Sequence, residues 1–441
     1  MFAFMKNLSL LWLPITIAVL AAILFRTGRN DKDPSYPIKA PELAPEQMSL
    51  RKNMSSLAVS PDWSALQNYQ RTITKDIFIT RLNAVYSQNN AWHSVIKIHK
   101  DFADIRSQGK QSMRLYFAQK DRFHSPPRYW RSARELPATA DFSGKPLSGL
   151  RIAIDPGHIG GQWARMEERW YIGNGGHEVK EGELTLATAM LLEQKLQSLG
   201  AKVWLLRDKP EPVTKLRPSD FKPLAIQVLK SRGKEPKGSD LRRESESLFY
   251  RAHEIRRRAQ IINTKIKPDI ALCLHLNAEA WGNPERPTMV PRNHFHLLIN
   301  GTYSVGELRL EDNRFHLLKR LLQRTHNEEL ALNLHVATAM VKATGLPPYR
   351  YTTNNAKLAV TGNPYIYTRN LLANRIYHCP VVFLEPYVMN NPEVYQRIAM
   401  GDYDGEREIA GTMRKSLIRE YADGVTEGLR LYYQQARDNN Q

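Results

Sequence analysis

The hydrophobic positions of this chain fall into distinct regimes. Residues 8–25 form an almost wholly apolar run that ends at Arg26. Its length is close to the ~20 residues that cross a bilayer, so residues 1–26 are expected to be a membrane anchor, with a cleaved signal segment as the alternative. Residues 27–60 are polar and carry Pro34, Pro37 and Pro41, the pattern of a linker. Over 62–90, Trp63, Leu66, Tyr69, Ile73, Ile77 and Leu82 recur at roughly helical spacing. The alternating runs at 94–98 and 113–117 predict strands. A small α+β domain over 61–120 is therefore expected, followed by a proline-bearing connector at 121–148.

From 149 the pattern changes to apolar strands alternating with amphipathic helices. Strands are expected at 150–155, 202–206, 270–274, 295–299 and 381–384. The helix expected at 183–199 has Leu184, Ala187, Leu191, Leu192, Leu196 and Leu199 on one face and Gly200 as its stop. Others are expected at 246–264, within 313–344, and at 406–435, where Ile409, Met413, Leu417, Tyr421, Val425 and Leu429 repeat. Near-continuous apolar strands between helices indicate an α/β fold, a mostly parallel twisted sheet flanked by helices, over 149–437.

Composition changes this picture in three places. The chain is 42% hydrophobic, ample for a core, and its formal net charge is +19, from 63 Lys+Arg against 44 Asp+Glu. Such a balance favours polyanionic surroundings, whether nucleic acid, anionic lipid or an acidic cell-wall polymer. No helix-turn-helix, RNP or zinc-finger spacing is present, so no nucleic acid partner is expected. Cys273 and Cys379 are the two cysteines. They exclude a disulfide framework and read as small buried apolar residues, a single bridge remaining open.

The candidate chemistry sits where strands end. His158 closes Ile154-Asp155-Pro156-Gly157-His158, and His275 closes Leu272-Cys273-Leu274-His275. Glu181 opens a helix between them, and Glu385 follows the strand at 381–384. Ligands of open α/β sheets sit outside the carboxyl ends of the strands, so these four groups are expected on one rim. Two histidines and a carboxylate are the ligand set of a catalytic zinc that keeps a position open for water. His177, in the loop Gly173-Asn174-Gly175-Gly176-His177, is a rival ligand or a substrate contact. That loop is not a phosphate cradle, because it follows no strand and lacks the Lys-Ser/Thr ending.

These motifs, taken in order, resemble the zinc-dependent N-acetylmuramoyl-L-alanine amidases over about 149–435. Ile152-Ala153-Ile154-Asp155-Pro156-Gly157-His158 is similar to that family's first-ligand strand. Glu181-Gly182-Glu183-Leu184-Thr185-Leu186-Ala187 is similar to its Glu-x-x-Leu-x-Leu-Ala helix start. Val203-Trp204-Leu205-Leu206-Arg207-Asp208 and Arg258-Ala259-Gln260-Ile261-Ile262-Asn263 follow, then His275-Leu276-Asn277-Ala278 and Val382-Phe383-Leu384-Glu385. The resemblance implies one Zn2+ held by His158, Glu181 and His275, with Glu385 as general base. It also implies cleavage of the amide between N-acetylmuramic acid and L-alanine in peptidoglycan or muropeptides. Asp155 is expected to orient a ligand histidine. Arg258 and Asn277 are candidates for supporting or substrate contacts. Such a substrate implies the extracytoplasmic side of a bacterial envelope, with membrane attachment through the N-terminal segment; a protein activator is an open expectation.

The sequence departs from the family pattern around the same rim. The gap from His158 to Glu181 is long, residues 209–245 form a Lys/Arg-rich insertion, and the stretch after Ala278 is enlarged. Glu385-Pro386-Tyr387 stands where small residues usually follow the glutamate. The insertion reads as a solvated surface loop, with a lid over the site as the alternative. Two other functions stay open: a non-catalytic peptidoglycan-binding relative, and a zinc peptidase that cuts within the stem peptide.

Overall fold

The apolar strands assemble into a seven-stranded sheet in the order β10-β11-β9-β12-β8-β4-β7. In chain order these are β4 (Arg151–Pro156), β7 (Lys202–Leu205), β8 (Ile270–Leu274), β9 (Phe295–Ile299), β10 (Ala356–Leu358), β11 (Ile366–Arg369) and β12 (Val381–Pro386). The structure is a computed structural model that describes residues 52–120, 126–137 and 145–438. The expected membrane segment at 1–26 and most of the 27–60 linker lie outside the described residues. Among the described residues no helix is long and apolar enough to cross a membrane.

The sheet is mixed. β7, β4, β8 and β12 run parallel, as do β9 and β11. β9 lies antiparallel to β12, and β10 to β11. The parallel core is where the apolar runs are longest, because helices cover both faces there. Alternate residues serve opposite faces. Ile152, Ile154, Leu272, Leu274, Val382 and Leu384 enter one core with the helices Glu181–Ser198, Thr325–Thr344 and Leu417–Asp438. Ala153, Ala271, Cys273, Val381 and Phe383 enter the other, against Ala259, Ile262 and Ile376. Cys273 and Cys379 are both free and buried in that second core, so they form no bridge.

Three elements differ from expectation. The closing helix is Leu417–Asp438, not 406–435. It is preceded by a hairpin of β13 (Glu406–Ile409) and β14 (Thr412–Lys415). Ala410 and Gly411 both have positive φ, the two-residue turn that matches strand twist. The basic insertion is not a solvated loop: it folds into the helices Lys222–Ser231 and Gly238–Ser247. Phe221, Leu224, Ala225 and Val228 pack there against Ile159, Leu248, Phe249 and Ala252. The glycine-rich 173–177 stretch is the turn of a hairpin, β5 (Trp170–Ile172) with β6 (Glu178–Lys180).

Over 61–120 the structure has short helical segments and an antiparallel sheet of β1 (Ile96–Ile98), β2 (Phe102–Arg106) and β3 (Ser112–Tyr116). Its apolar side chains, among them Leu66, Phe78, Ile105 and Leu115, share one core with Tyr303, Leu308, Phe315 and Leu318. Close helix packing elsewhere rests on small residues. A Cβ on Gly428 would stand 2.5 Å from Val336 Cα, so that position admits no side chain without moving the Thr325–Thr344 helix.

Candidate metal centre

The three central strands end level with one another. Pro156 pairs with Leu274, and Leu274 with Leu384. His275 therefore emerges between Glu385 on β12 and Gly157-His158 after β4. The alternation that sends Cys273 and Phe383 to one face sends His275 and Glu385 there too. The His275 ring stacks on Phe383, centroids 4.6 Å apart at 9°. Gly157 is required at the junction: a Cβ there would lie 2.5 Å from both His275 Cε1 and the Leu274 carbonyl oxygen. His158 turns the chain in the left-handed region, φ 57°. A non-glycine residue held in this way is strained, and such strain gathers at functional sites.

Glu181 faces both histidines from the start of its helix. His158 Nε2 is 3.3 Å from Glu181 Oε2, and His275 Nδ1 is 3.3 Å from Glu181 Oε1. Donor atoms of His158, Glu181 and His275 all lie within 4.8 Å of one another. Among the described residues this is the one group of three or more His, Cys, Asp or Glu side chains so disposed. The carboxylate is 1% exposed, and the Leu276 N–H donates to Oε1 at 3.0 Å. Oε2 has ion-pair neighbours, including Arg169 Nε at 3.2 Å, yet accepts no hydrogen bond. A buried carboxylate oxygen without a donor, facing two imidazole nitrogens, fits a divalent cation with N and O ligands.

The electrostatics agree. Burial opposes the charge of Glu181, but His158, His275 and Arg169 hold its carboxyl below the usual range. Burial, and then the charge of Glu181, push the Glu385 carboxyl well above it. Two buried carboxylates forced apart in this way are the pattern from which acid/base pairs are built.

Other candidates fall into different places. Asp155 was expected to orient a ligand histidine; instead it accepts from Arg258 Nη1 at 2.7 Å and from the Tyr377 hydroxyl at 2.5 Å. The carboxylate beside the His158 ring is that of Glu167, whose Oε1 stands 3.5 Å from Nδ1. No periodicity marks Glu167, which sits in the loop that lengthens the gap from His158 to Glu181. Arg258 is buried and bridges Asp155 and Glu254, and it donates to the carbonyls of Pro156 and His158. Its role is to hold the loop that carries His158. Asn277 donates through Nδ2 to the Glu385 carbonyl and fixes that strand end. His177 is exposed in the β5–β6 turn, its ring 6.4 Å from Tyr395, outside the metal group.

Two cavities meet the centre. One of about 310 Å³ is lined by His158, His275, Arg169, Leu372 and Phe383. The other, of about 880 Å³, begins at Glu385 and Asn277 and runs under 278–280, 291–294 and 347–352. The enlarged stretch after Ala278 thus forms a wall of the larger one.

Comparison with known families decides the class. The family profile of N-acetylmuramoyl-L-alanine amidase (Amidase_3) matches residues 152–419, more than half of the chain. The chain belongs to the N-acetylmuramoyl-L-alanine amidase family. The match to this amidase family starts on β4 and ends within the Leu417–Asp438 helix, so it spans all four rim residues. Among solved structures the chain is similar to the N-acetylmuramyl-L-alanine amidase Ami1 of Mycobacterium abscessus, with 17% identity and a TM-score of 0.36 over 65% of this chain and 99% of that one. It is also similar to the CwlD amidase of Clostridioides difficile, solved in complex with the GerS lipoprotein (12%, TM-score 0.35, 64% and 96%). A further similar structure is the amidase AmiC2 of Nostoc punctiforme (15%, TM-score 0.33, 65% and 97%). No curated protein sequence matches the chain significantly.

Proposed function

We propose that this protein hydrolyses the amide bond between N-acetylmuramic acid and L-alanine of peptidoglycan, at a zinc centre held by His158, Glu181 and His275. The observation that carries the reading is the convergence of those three donor sets within 4.8 Å on the strand rim beside Glu385. A zinc ion held there supplies Lewis acidity to the scissile carbonyl and to the attacking water.

The chain's own groups do the rest. Glu385 takes a proton from the water at a carboxylate oxygen as the new C–O bond forms. It returns that proton to the alanine nitrogen as the C–N bond breaks. Burial beside Glu181 keeps Glu385 able to hold the proton between the two steps. Glu167 steadies the His158 ring from Nδ1, and the Leu276 N–H steadies Glu181. The stacked Phe383 keeps the His275 ring in one plane. Action on peptidoglycan places the described body on the extracytoplasmic side of the envelope, where a membrane-anchoring segment at 1–26 would hold it.

The test is incubation of the protein with purified peptidoglycan, with and without a chelator, and mass spectrometry of the products. Chelator-sensitive release of intact stem peptides with a free L-alanine amino group supports the reading. Cleavage between amino acids of the stem assigns a peptidase instead, and a zinc-free inactive protein points to a binding relative.

A further inference from the structure

The larger cavity contains an arginine with no carboxylate partner. Arg369, at the end of β11, is half-buried in the cavity wall that begins at Glu385. Its Nη1 donates to the Tyr351 hydroxyl at 3.2 Å. Among the described residues no acidic side chain pairs with it and no other acceptor meets its remaining N–H groups. Arg292 on the same wall differs, because Glu279 already binds it.

Arg369 is nevertheless held in place. Tyr351 is also hydrogen-bonded to His296 Nε2, at 3.0 Å. The hydroxyl thus accepts from Arg369 and is tied on its other side to the imidazole. Burial keeps His296 neutral, pushed down to about 3. His296 is the direct cross-strand partner of Glu385 on β9 and β12, so the two side chains share a face of the sheet. An anchored guanidinium with no carboxylate at ion-pair distance lies along the same wall as Glu385, whose carboxyl feels its charge. Leaving such a charge unpaired in a half-buried place is unfavourable unless a ligand completes it. The planar fork of arginine suits a carboxylate.

We infer that Arg369, positioned by Tyr351 and His296, binds a free carboxylate on the peptide side of the substrate. The inference rests on the amidase reading. In that substrate the lactyl carboxyl of the sugar is consumed in the scissile amide, and the neighbouring sugars are uncharged. The nearest free carboxylate is therefore on the acidic residue that follows L-alanine. The larger cavity takes the stem peptide, and Arg369 makes the enzyme selective for a free carboxylate over a carboxamide at that residue.

The experiment uses two matched glycan–peptide fragments that differ only in that group, carboxylate or carboxamide. The wild-type full chain should show kcat/KM at least about tenfold higher for the carboxylate, since a site built around a charged partner rejects the analogue lacking it. R369M should bring the ratio near unity, mainly through KM on the carboxylate fragment. Y351F, which frees the guanidinium, should shift it part of the way. General structural damage would lower both substrates alike and leave the ratio standing.

As a second measurement independent of the variants, the two released peptides are compared as competitive inhibitors of the wild type. The carboxylate form should bind about tenfold tighter. Equal turnover of both fragments together with equal inhibition overturns the Arg369 assignment and leaves the amidase reading intact. Failure to cut either fragment at the sugar–peptide amide overturns the amidase reading, and the Arg369 assignment falls with it.

Discussion

Glu167 Oε1 stands 3.5 Å from His158 Nδ1, on the opposite side of the ring from Glu181, which faces Nε2 at 3.3 Å. The imidazole is thus gripped from both nitrogens, with Nε2 turned toward the proposed metal position. Glu167 is itself fixed by the N–H groups of Ile159 and Gly160, and these together with His158 outweigh burial and hold its carboxyl below the usual range. Replacing Glu167 by Gln should weaken zinc binding about 10–100-fold, the effect of losing the partner that orients a ligand histidine. Chelator competition measures this, and unchanged affinity would remove Glu167 from the centre.

Gly157 meets the His275 ring and the Leu274 carbonyl with no room for a methyl group. G157A should destabilise the fold by about 1–3 kcal/mol, the range for overpacking. It should also lower zinc occupancy, because the ring that must move is that of the proposed ligand His275. Thermal melting and metal analysis on the same sample check both parts. A variant that melts like the wild type and keeps its zinc contradicts the packing argument.

The Asp155–Arg258–Glu254 network is buried, with ion-pair distances of 2.7 and 2.9 Å. R258M leaves two buried carboxylates without their cation, a change that costs about 3–5 kcal/mol when one partner of a buried pair is removed. Because Arg258 also donates to the His158 carbonyl, zinc affinity should fall along with stability. Denaturant unfolding reads the first effect and chelator competition the second.

Acid should destabilise the protein through buried neutral histidines away from the proposed metal centre. Burial pushes His326 down to about 3, and it holds His316 and His378 well below their ordinary value. The folded values are depressed, so below about pH 6.5 the unfolded chain binds protons that the folded chain refuses. Stability present above pH 6.5 is lost as pH falls toward 3, by about 1.4 kcal/mol per unit for each such histidine. H326Q should flatten the slope of unfolding free energy against pH over that window. An unchanged slope would show that His326 protonates freely in the folded state.

The sheet was legible because its strands are apolar runs buried on both faces; 270–274 and 381–384 read as strands on that ground alone. The rim residues were legible because each terminates such a run or opens the next helix. The Lys222–Ser231 helix was hidden, since Phe221 before it and Leu224, Ala225 and Val228 within it are spaced among lysines and prolines that read as solvated. The β13–β14 hairpin was hidden because Ile409 and Met413 happen to continue the period of the helix that follows. Glu167, Tyr351 and Arg369 left no trace: each sits in a loop or at a strand end, where tertiary contact alone gives the side chain its role. Asp155 misled for the opposite reason, since its neighbour His158 is a close partner in sequence but Arg258 is its partner in space.

The most direct test of the central claim joins metal analysis and product analysis on wild type and E385A. About one zinc per chain is expected in both, with stem peptides bearing a free L-alanine amino group released from peptidoglycan by the wild type alone. Full turnover by E385A, or a wild type that cleaves peptidoglycan at the same rate after its metal is stripped, would contradict it.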